Sequence, residues 1–506
     1  MRLTSDASSA DPGPMKVQMP PASPRPADSG VTGKRMCWLD DSAFGPESAA
    51  AVYARLRGMD LVWGGSLPDR STAANMIAIS GSRLHELGAE QIGRLGELVA
   101  SGVTLYVRGV ARQSPALLDL RPFDQSSVTI GQCREAVSYR LASSPLIPAA
   151  LRRGGEQAGN FEAAGADHLP SQAEVLLKIR HVDGVERAAV FVVRHGSGRI
   201  VYDLHPEDES RRDTSVDSGL ARPQQRHREI GPLLAANQAV SLDPDRPSAV
   251  NICIDDRPVA YDYFSLKSLN IFLSHIDTIF PGAHTDFGWT PCHLAVSRRY
   301  IAALKKFSTG FVWHGFHRHV DHRGVGDGAA ELEQGKRLVS RIEQRFKLRL
   351  QRIMVFPFEK SAPGQFAILE ESGFAACVQE PNRPLDPPEA LLYEQGLLPA
   401  QSVTPAGFIV LHRYPAPGLS EERMLAMAIL QLPIIAYAHP RDIDLRRFPR
   451  PWERSNGVSH FDHVLQFART ARLRPCSLEE IAGECAGSAL SYRTGADQAV
   501  RHASAG

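Results

Sequence analysis

Over most of its length the chain alternates between short apolar runs and longer segments whose apolar residues recur every three or four positions. Short continuous apolar runs bounded by turn residues read as strands buried on both faces. The 3.6-period segments read as helices laid over a sheet. In the C-terminal half the runs fall at 250–254, 284–288, 310–313, 352–356, 375–378, 406–412 and 434–438. Helical periodicity at 263–280, 297–306 and 329–346 separates several of them. Seven apolar strands with intervening helices predict an α/β fold, a distorted β/α barrel over residues 249–486.

The N-terminal half carries a different rhythm. Residues 1–34, rich in Ser, Pro, Ala and Asp, offer too little apolar surface to offset the entropy of ordering, so a disordered tail is expected. From Met36 the pattern alternates strand and helix: helices at 46–57 and 89–100, and strands at 61–64, 76–80 and 103–107. Such alternation predicts a small flavodoxin-like domain over 35–124 with a parallel sheet. Residues 125–248 read as a β-rich linking module with strands at 175–179, 188–193 and 200–204, and with Gly196-Ser197-Gly198 as a hairpin turn. Two polar stretches, 152–170 and 206–228, read as mobile connections, and 487–506 as a polar tail.

Composition narrows the function classes. The 57 basic and 56 acidic residues leave a net charge of +1, no electrostatic footprint for nucleic acid or an anionic membrane. No run of about eighteen apolar residues predicts a membrane span, and the N-terminus lacks the apolar core of a signal peptide, so a cytoplasmic protein is expected. Seven scattered cysteines with no CxxC pair fit free thiols in a reducing compartment.

Candidate chemistry gathers at the ends of the barrel runs. The first closes on Asp255-Asp256, and the third on His314-Gly315-Phe316-His317-Arg318-His319-Val320-Asp321-His322. The seventh closes on Tyr437-Ala438-His439. Folds of this type place chemistry at the carboxyl ends of their parallel strands. Paired acids at one such end and histidines at another make a candidate site for a divalent ion, and carboxylate with imidazole suits zinc. An Asp-Asp-Arg-Pro stretch standing alone would read as a capped turn. His412, at the end of another apolar run, is a spare candidate.

The order Asp255-Asp256, His314-Gly315-Phe316, Phe356-Pro357-Phe358 and Tyr437-Ala438-His439-Pro440 resembles the polysaccharide deacetylase superfamily, metal-dependent amide hydrolases on an irregular (β/α)7 barrel. The resemblance implies Asp255 as general base, Asp256 and His314 as metal ligands, and His439 as the acid that protonates the leaving amine, with Asp442 close enough to orient it. His319 is the third ligand, with His317 the alternative, because Arg318 stands where the family has its second histidine. Val355 stands where the family has an arginine that orients the base; Arg257 or Arg318 is the substitute in charge. The implied reaction is metal-dependent removal of an N-acetyl or related acyl group from an amino sugar or glycan precursor, with zinc as the cofactor and a carbohydrate as the partner. A chain that keeps the barrel but only binds carbohydrate or serves as a scaffold is the alternative. A glycosidase with Asp286 or Glu359 as its second acid is a third reading. Residues 78–82 with 91–107 resemble a glutamine-amidotransferase-like domain, although its Ser80-Gly81-Ser82 turn has no nucleophilic cysteine, which makes it noncatalytic.

Overall fold

The computed structural model describes residues 35–39, 60–63, 67, 74–109, 129–130, 134–149, 151–152, 156–205, 227–240, 245, 247–255, 266–292, 297–318, 328–357, 363–380, 401–403, 408–439 and 461–487. The expectations for 1–34 and 488–506, the helix at 46–57, and Asp256, Arg257, His319, Glu359 and Asp442 lie outside these residues, as does the connection read at 206–228 except its last two residues, which are helical. The described residues form one compact unit built on two sheets.

The first sheet holds eleven strands: β1 (Arg35–Trp38), β2 (Asp60–Trp63), β3 (Met76–Ser80), β4 (Thr104–Arg108), β5 (Thr129–Ile130), β6 (Arg134–Leu141), β7 (Gln157–Ala163), β8 (Ala166–His168), β9 (Glu174–His181), β10 (Glu186–His195) and β11 (Gly198–Asp203). The order β2-β1-β3-β4-β11 is parallel, and β11-β10-β9-β6-β7 continues it antiparallel. The strands expected of the flavodoxin-like segment and of the β-rich segment therefore share one sheet, joined where Thr104 pairs with Arg199. The hairpin turn at Gly196 is as expected, with φ +58 between β10 and β11. Part of the polar stretch expected as a mobile connection is instead strand: β7 and β8 lie within 152–170. Sheet pairing stabilises what a polar sequence does not advertise.

A helix at His227–Val240, which the pattern concealed behind Gly231 and Pro232, packs along β4 and β11, with Gly231 over Asp203 and Gln238 accepting from Arg199. There a buried cluster gathers. Tyr106 Oη donates to Asp203 Oδ2 at 2.7 Å, the His205 amide donates to Asp203 Oδ1 at 3.0 Å, and the His205 ring lies against the same oxygen. Burial raises the Asp203 carboxyl, but the His205 charge and hydrogen bond, with Arg108 and Tyr106, outweigh it and hold it below the ordinary value. A depressed carboxyl contributes stability above its unfolded pKa of about 4, and that contribution is lost as pH falls. Gly231 is what lets the helix sit there: a Cβ on it would lie 2.1 Å from Asp203 Oδ2. Alanine is the better helix former by about 1 kcal/mol, yet Gly231→Ala is expected to destabilise, because overpacking a buried carboxylate costs about 1–3 kcal/mol. A denaturant midpoint that rises in Gly231→Ala would contradict this contact.

The second sheet is the nearly closed barrel. Its strands are β12 (Ala249–Ile254), β13 (Thr285–Trp289), β14 (Thr309–His314), β15 (Gln351–Val355), β16 (Ala376–Gln379), β17 (Gln401–Val403), β18 (Ile409–His412), β19 (Tyr414–Pro415), β20 (Ile434–Ala438) and β21 (Arg474–Pro475). Parallel pairing runs β18-β16-β15-β14-β13-β12-β20, and antiparallel β17 lies outside β18. The seven strands of that run fall where the seven apolar runs were read. Chain 409–415 nearly closes the ring: β18 pairs with β16, and β19, one residue further on, pairs with β20. The helices Leu266–Ile279, Arg298–Leu304 and Gly328–Phe346 match the three periodic segments within three residues at each end.

Alternation along each strand sorts side chains into two sets. Residues such as Ile252, Phe287, Trp313 and Met354 pack outward under the helices. Cys253, Val312, Val355, Val378, Leu411 and Tyr437 fill the interior. The floor of the barrel is polar. Asp286, fully buried, accepts from Asn251 Nδ2 and from the backbone amide of Leu478, each at 2.8 Å, and from Gln351 Nε2. The helix Leu478–Gly487 closes the interior from below. Asp286 thus sits at the amino-terminal end, away from the strand mouths. This removes it as the second acid of a glycosidase.

Candidate active site

The inward positions at the carboxyl ends of the strands bring together residues from five of them. Asp255 follows β12, with its amide donating to Ala438 O at 3.1 Å, so its strand still runs beside β20. His314 ends β14 on the inward side, two residues after Val312, and Gly315 turns the chain away with φ +84. Between them lies Gly288 of β13. A Cβ there would meet His314 Cβ and Ile254 O, each at 3.4 Å, so the missing side chain leaves the space through which Asp255 and His314 face each other. His439 follows β20 on the other side of Asp255, two residues beyond inward Tyr437. Asp255 and His314 are each 2% exposed; His439 is half-buried.

The partner of Asp255 is Arg413. This residue, fully buried at the break between β18 and β19, donates from Nη1 to Asp255 Oδ1, while its guanidinium carbon lies 4.2 Å from the centroid of the Tyr437 ring. Tyr437 in turn donates to the Glu380 carboxylate at the end of β16, and its ring meets that of His439 edge to face at 5.7 Å. Burial alone would raise the Asp255 carboxyl; the Arg413 charge, then His314, the Arg413 hydrogen bond and His439, outweigh it and hold the carboxyl below the ordinary range.

The guanidinium beside Asp255 is therefore that of Arg413, whereas the resemblance places an arginine at Val355. Val355 is an inward apolar residue of β15, and the charge arrives from the far side of the ring instead. Of the two substitutes named from the sequence, Arg318 is exposed, and Arg257 lies outside the described residues. His412 is also excluded from the mouth. It faces away from the interior, and burial pushes its ring down to about 4, so it is neutral. A count by twos from Ile409 and Leu411 would have pointed to Arg413 rather than His412. Glu380, inward after Val378, was reachable by the same parity.

Of the proposed catalytic and metal residues, Asp255, His314 and His439 are brought together. Asp256 and His319 lie outside the described residues, and among the described residues no three His, Cys, Asp or Glu side chains gather as a metal site. No helix among the described residues is long and apolar enough to cross a membrane. The six described cysteines form no disulfide.

No protein-family model matches the sequence, and neither does any curated protein. Among solved structures, Agd3, a carbohydrate deacetylase, matches over 90% of this chain and 87% of its own, with a TM-score of 0.55 at 10% identity. The likeness is one of fold. A protein from Mycobacterium smegmatis, whose structure is described as that of a polysaccharide deacetylase, covers 50% of this chain and 95% of its own with a TM-score of 0.35 at 12% identity. The 4-alpha-glucanotransferase of Thermococcus litoralis covers 47% of this chain and 40% of its own with a TM-score of 0.35 at 10% identity. Of these three, Agd3 speaks for the fold; the other two superpose too loosely to do so. The Agd3 match spans both sheets, since it takes in nine-tenths of the chain.

Proposed function

We propose that this protein is a metal-dependent hydrolase that removes an N-acetyl or related acyl group from an amino sugar or glycan precursor. The observation that carries the reading is a buried carboxylate, Asp255, locked by Arg413 and flanked by two imidazoles, His314 and His439, at the mouth of a parallel barrel. Asp255 accepts a proton from the attacking water, and His439 returns one to the leaving amine, a role suited to a group whose ordinary pKa lies near 6.5. Arg413 fixes the orientation of Asp255 and keeps it ionised. Tyr437 holds that guanidinium in place through its ring, and Glu380 anchors the Tyr437 hydroxyl.

A carboxylate held this low is a weak base, so the water it serves needs acidifying. The donor chemistry fits a divalent ion: His314 offers an imidazole beside the space that Gly288 leaves, and Asp256 and His319 are the proposed further ligands. When bound, zinc lowers the pKa of water towards about 7 and polarises the acyl carbonyl.

Titration of the full chain with zinc tests this reading. About one ion per chain is expected to bind tightly, and His314→Ala is expected to weaken that binding by more than about 100-fold while the fold survives. Equal zinc affinity in His314→Ala would remove His314 from the ligand set. The presence of Arg413 on Asp255 speaks against the alternative of a barrel that only binds carbohydrate, because the orienting arginine is not lost but supplied by another strand.

A further inference from the structure

Among the described residues, four buried side-chain atoms have no hydrogen-bond partner and no further interaction: Asn251 Oδ1, Thr285 Oγ1, Thr290 Oγ1 and Trp313 Nε1. A buried polar group left unpaired costs free energy in the folded chain, so each calls for a reason. Asn251 and Thr285 lie at the amino-terminal halves of their strands, at the level of the Asp286 network. Trp313 faces outward, 5.3 Å from the Phe374 ring. Thr290 differs from all three by its position: it lies at the mouth.

Thr290 follows β13 directly and stands two residues beyond Gly288, the inward position next to His314. The last register pair of β13 and β14 is Trp289 with Trp313, and one step further along both chains come Thr290 and His314. The two chains stay together beyond that point, since the Cys292 amide donates to His317 O at 2.9 Å. Thr290 is 1% exposed, as buried as Asp255 and His314. The ring order β20-β12-β13-β14 places His439 on one side of Asp255, and Thr290 with His314 on the other.

This arrangement has a direction. An amide whose carbon faces Asp255 has its nitrogen on the His439 side, where the leaving amine takes up a proton, and its oxygen on the side of Thr290. We propose that Thr290 is a substrate-binding residue whose hydroxyl donates a hydrogen bond to the acyl carbonyl oxygen, and does so more strongly as that oxygen gains charge. The inference rests on the amide-hydrolase reading above and adds to it the group that receives the oxygen. An uncharged donor aimed at a developing oxyanion contributes typically about 10²–10³-fold to turnover. The price is an unpaired hydroxyl in the free protein.

That double character sets the test. Thr290→Val keeps the shape of the side chain and removes the hydroxyl; Thr290→Ser keeps the hydroxyl. Thermal unfolding and steady-state kinetics of acetate release from tri-N-acetylchitotriose are measured on the zinc-loaded full chain and both variants. Thr290→Val is expected to melt no lower than the wild type, because it loses an unpaired group, while its kcat falls about 100-fold or more and KM changes far less. Thr290→Ser is expected to keep kcat within about tenfold of the wild type. A lowered melting temperature in Thr290→Val would make the hydroxyl a structural bond and overturn the proposal. So would an unchanged kcat in Thr290→Val beside an active wild type, and that outcome leaves the amide-hydrolase reading standing. A wild type that releases no acetate overturns that reading and the proposal together.

Discussion

Arg413→Met is expected to lower the stability of the protein by about 3–5 kcal/mol, the range found when one member of a buried ion pair is removed. Both side chains are almost fully withdrawn from water, at 0% and 3% exposure, so solvent screening does little to soften the loss. Methionine replaces most of the volume and the contact with Tyr437 but leaves the Asp255 charge without its main compensation. The sign of the pH dependence follows. The wild-type pair contributes stability above the unfolded carboxyl pKa of about 4, and that contribution is lost as pH falls. The deficit of Arg413→Met is therefore largest near neutral pH and shrinks in acid, where Asp255 takes up a proton. Chemical denaturation at pH 7 and at pH 4 reads both effects. Adding Asp255→Asn to Arg413→Met should cost less than the sum of the single losses, because the two residues share one interaction. Strict additivity would mean that the pair does not hold the mouth together.

Asp255→Asn is expected to reduce turnover by about 10²–10⁴-fold with zinc still bound, since an amide keeps the hydrogen bond from Arg413 but takes no proton from water. Arg413 and the two imidazoles keep Asp255 ionised below the ordinary carboxyl value, so the acid limb of the wild-type rate should follow loss of zinc from its imidazole ligands rather than protonation of Asp255. Rate against pH for the two proteins, with zinc content measured on the same samples, checks both statements. Zinc lost from Asp255→Asn but retained in Asp256→Asn would exchange the roles of the two acids.

Much of the barrel is legible in the sequence because its strands are buried on both faces. Such strands read as apolar runs whatever their partners are, and each of the seven runs read from the sequence falls on a strand of the ten-stranded second sheet. The continuity of the first sheet is not legible. The pairing of Thr104 with Arg199 links strands far apart in the chain, and nothing local in either strand announces the other. In the site, Asp255, His314 and His439 were within reach because each follows an apolar run and matches a motif in order. Arg413 was missed for a geometric reason. It occupies the break between β18 and β19, in a stretch where His412 drew notice and parity decides which residue faces in. Thr290 was missed because a single hydroxyl in Trp289-Thr290-Pro291 has no signature of its own; its meaning lies in being buried without a partner.

The most direct test of the account is acetate release from an N-acetylated amino-sugar oligosaccharide by the full chain, first freed of metal and then supplied with zinc. The account predicts no release from the metal-free protein, release on addition of zinc, and loss of that release in Asp255→Asn. Undiminished release by Asp255→Asn would contradict it, and so would a wild type that binds zinc at His314 yet frees no acetate from any N-acetylated amino sugar.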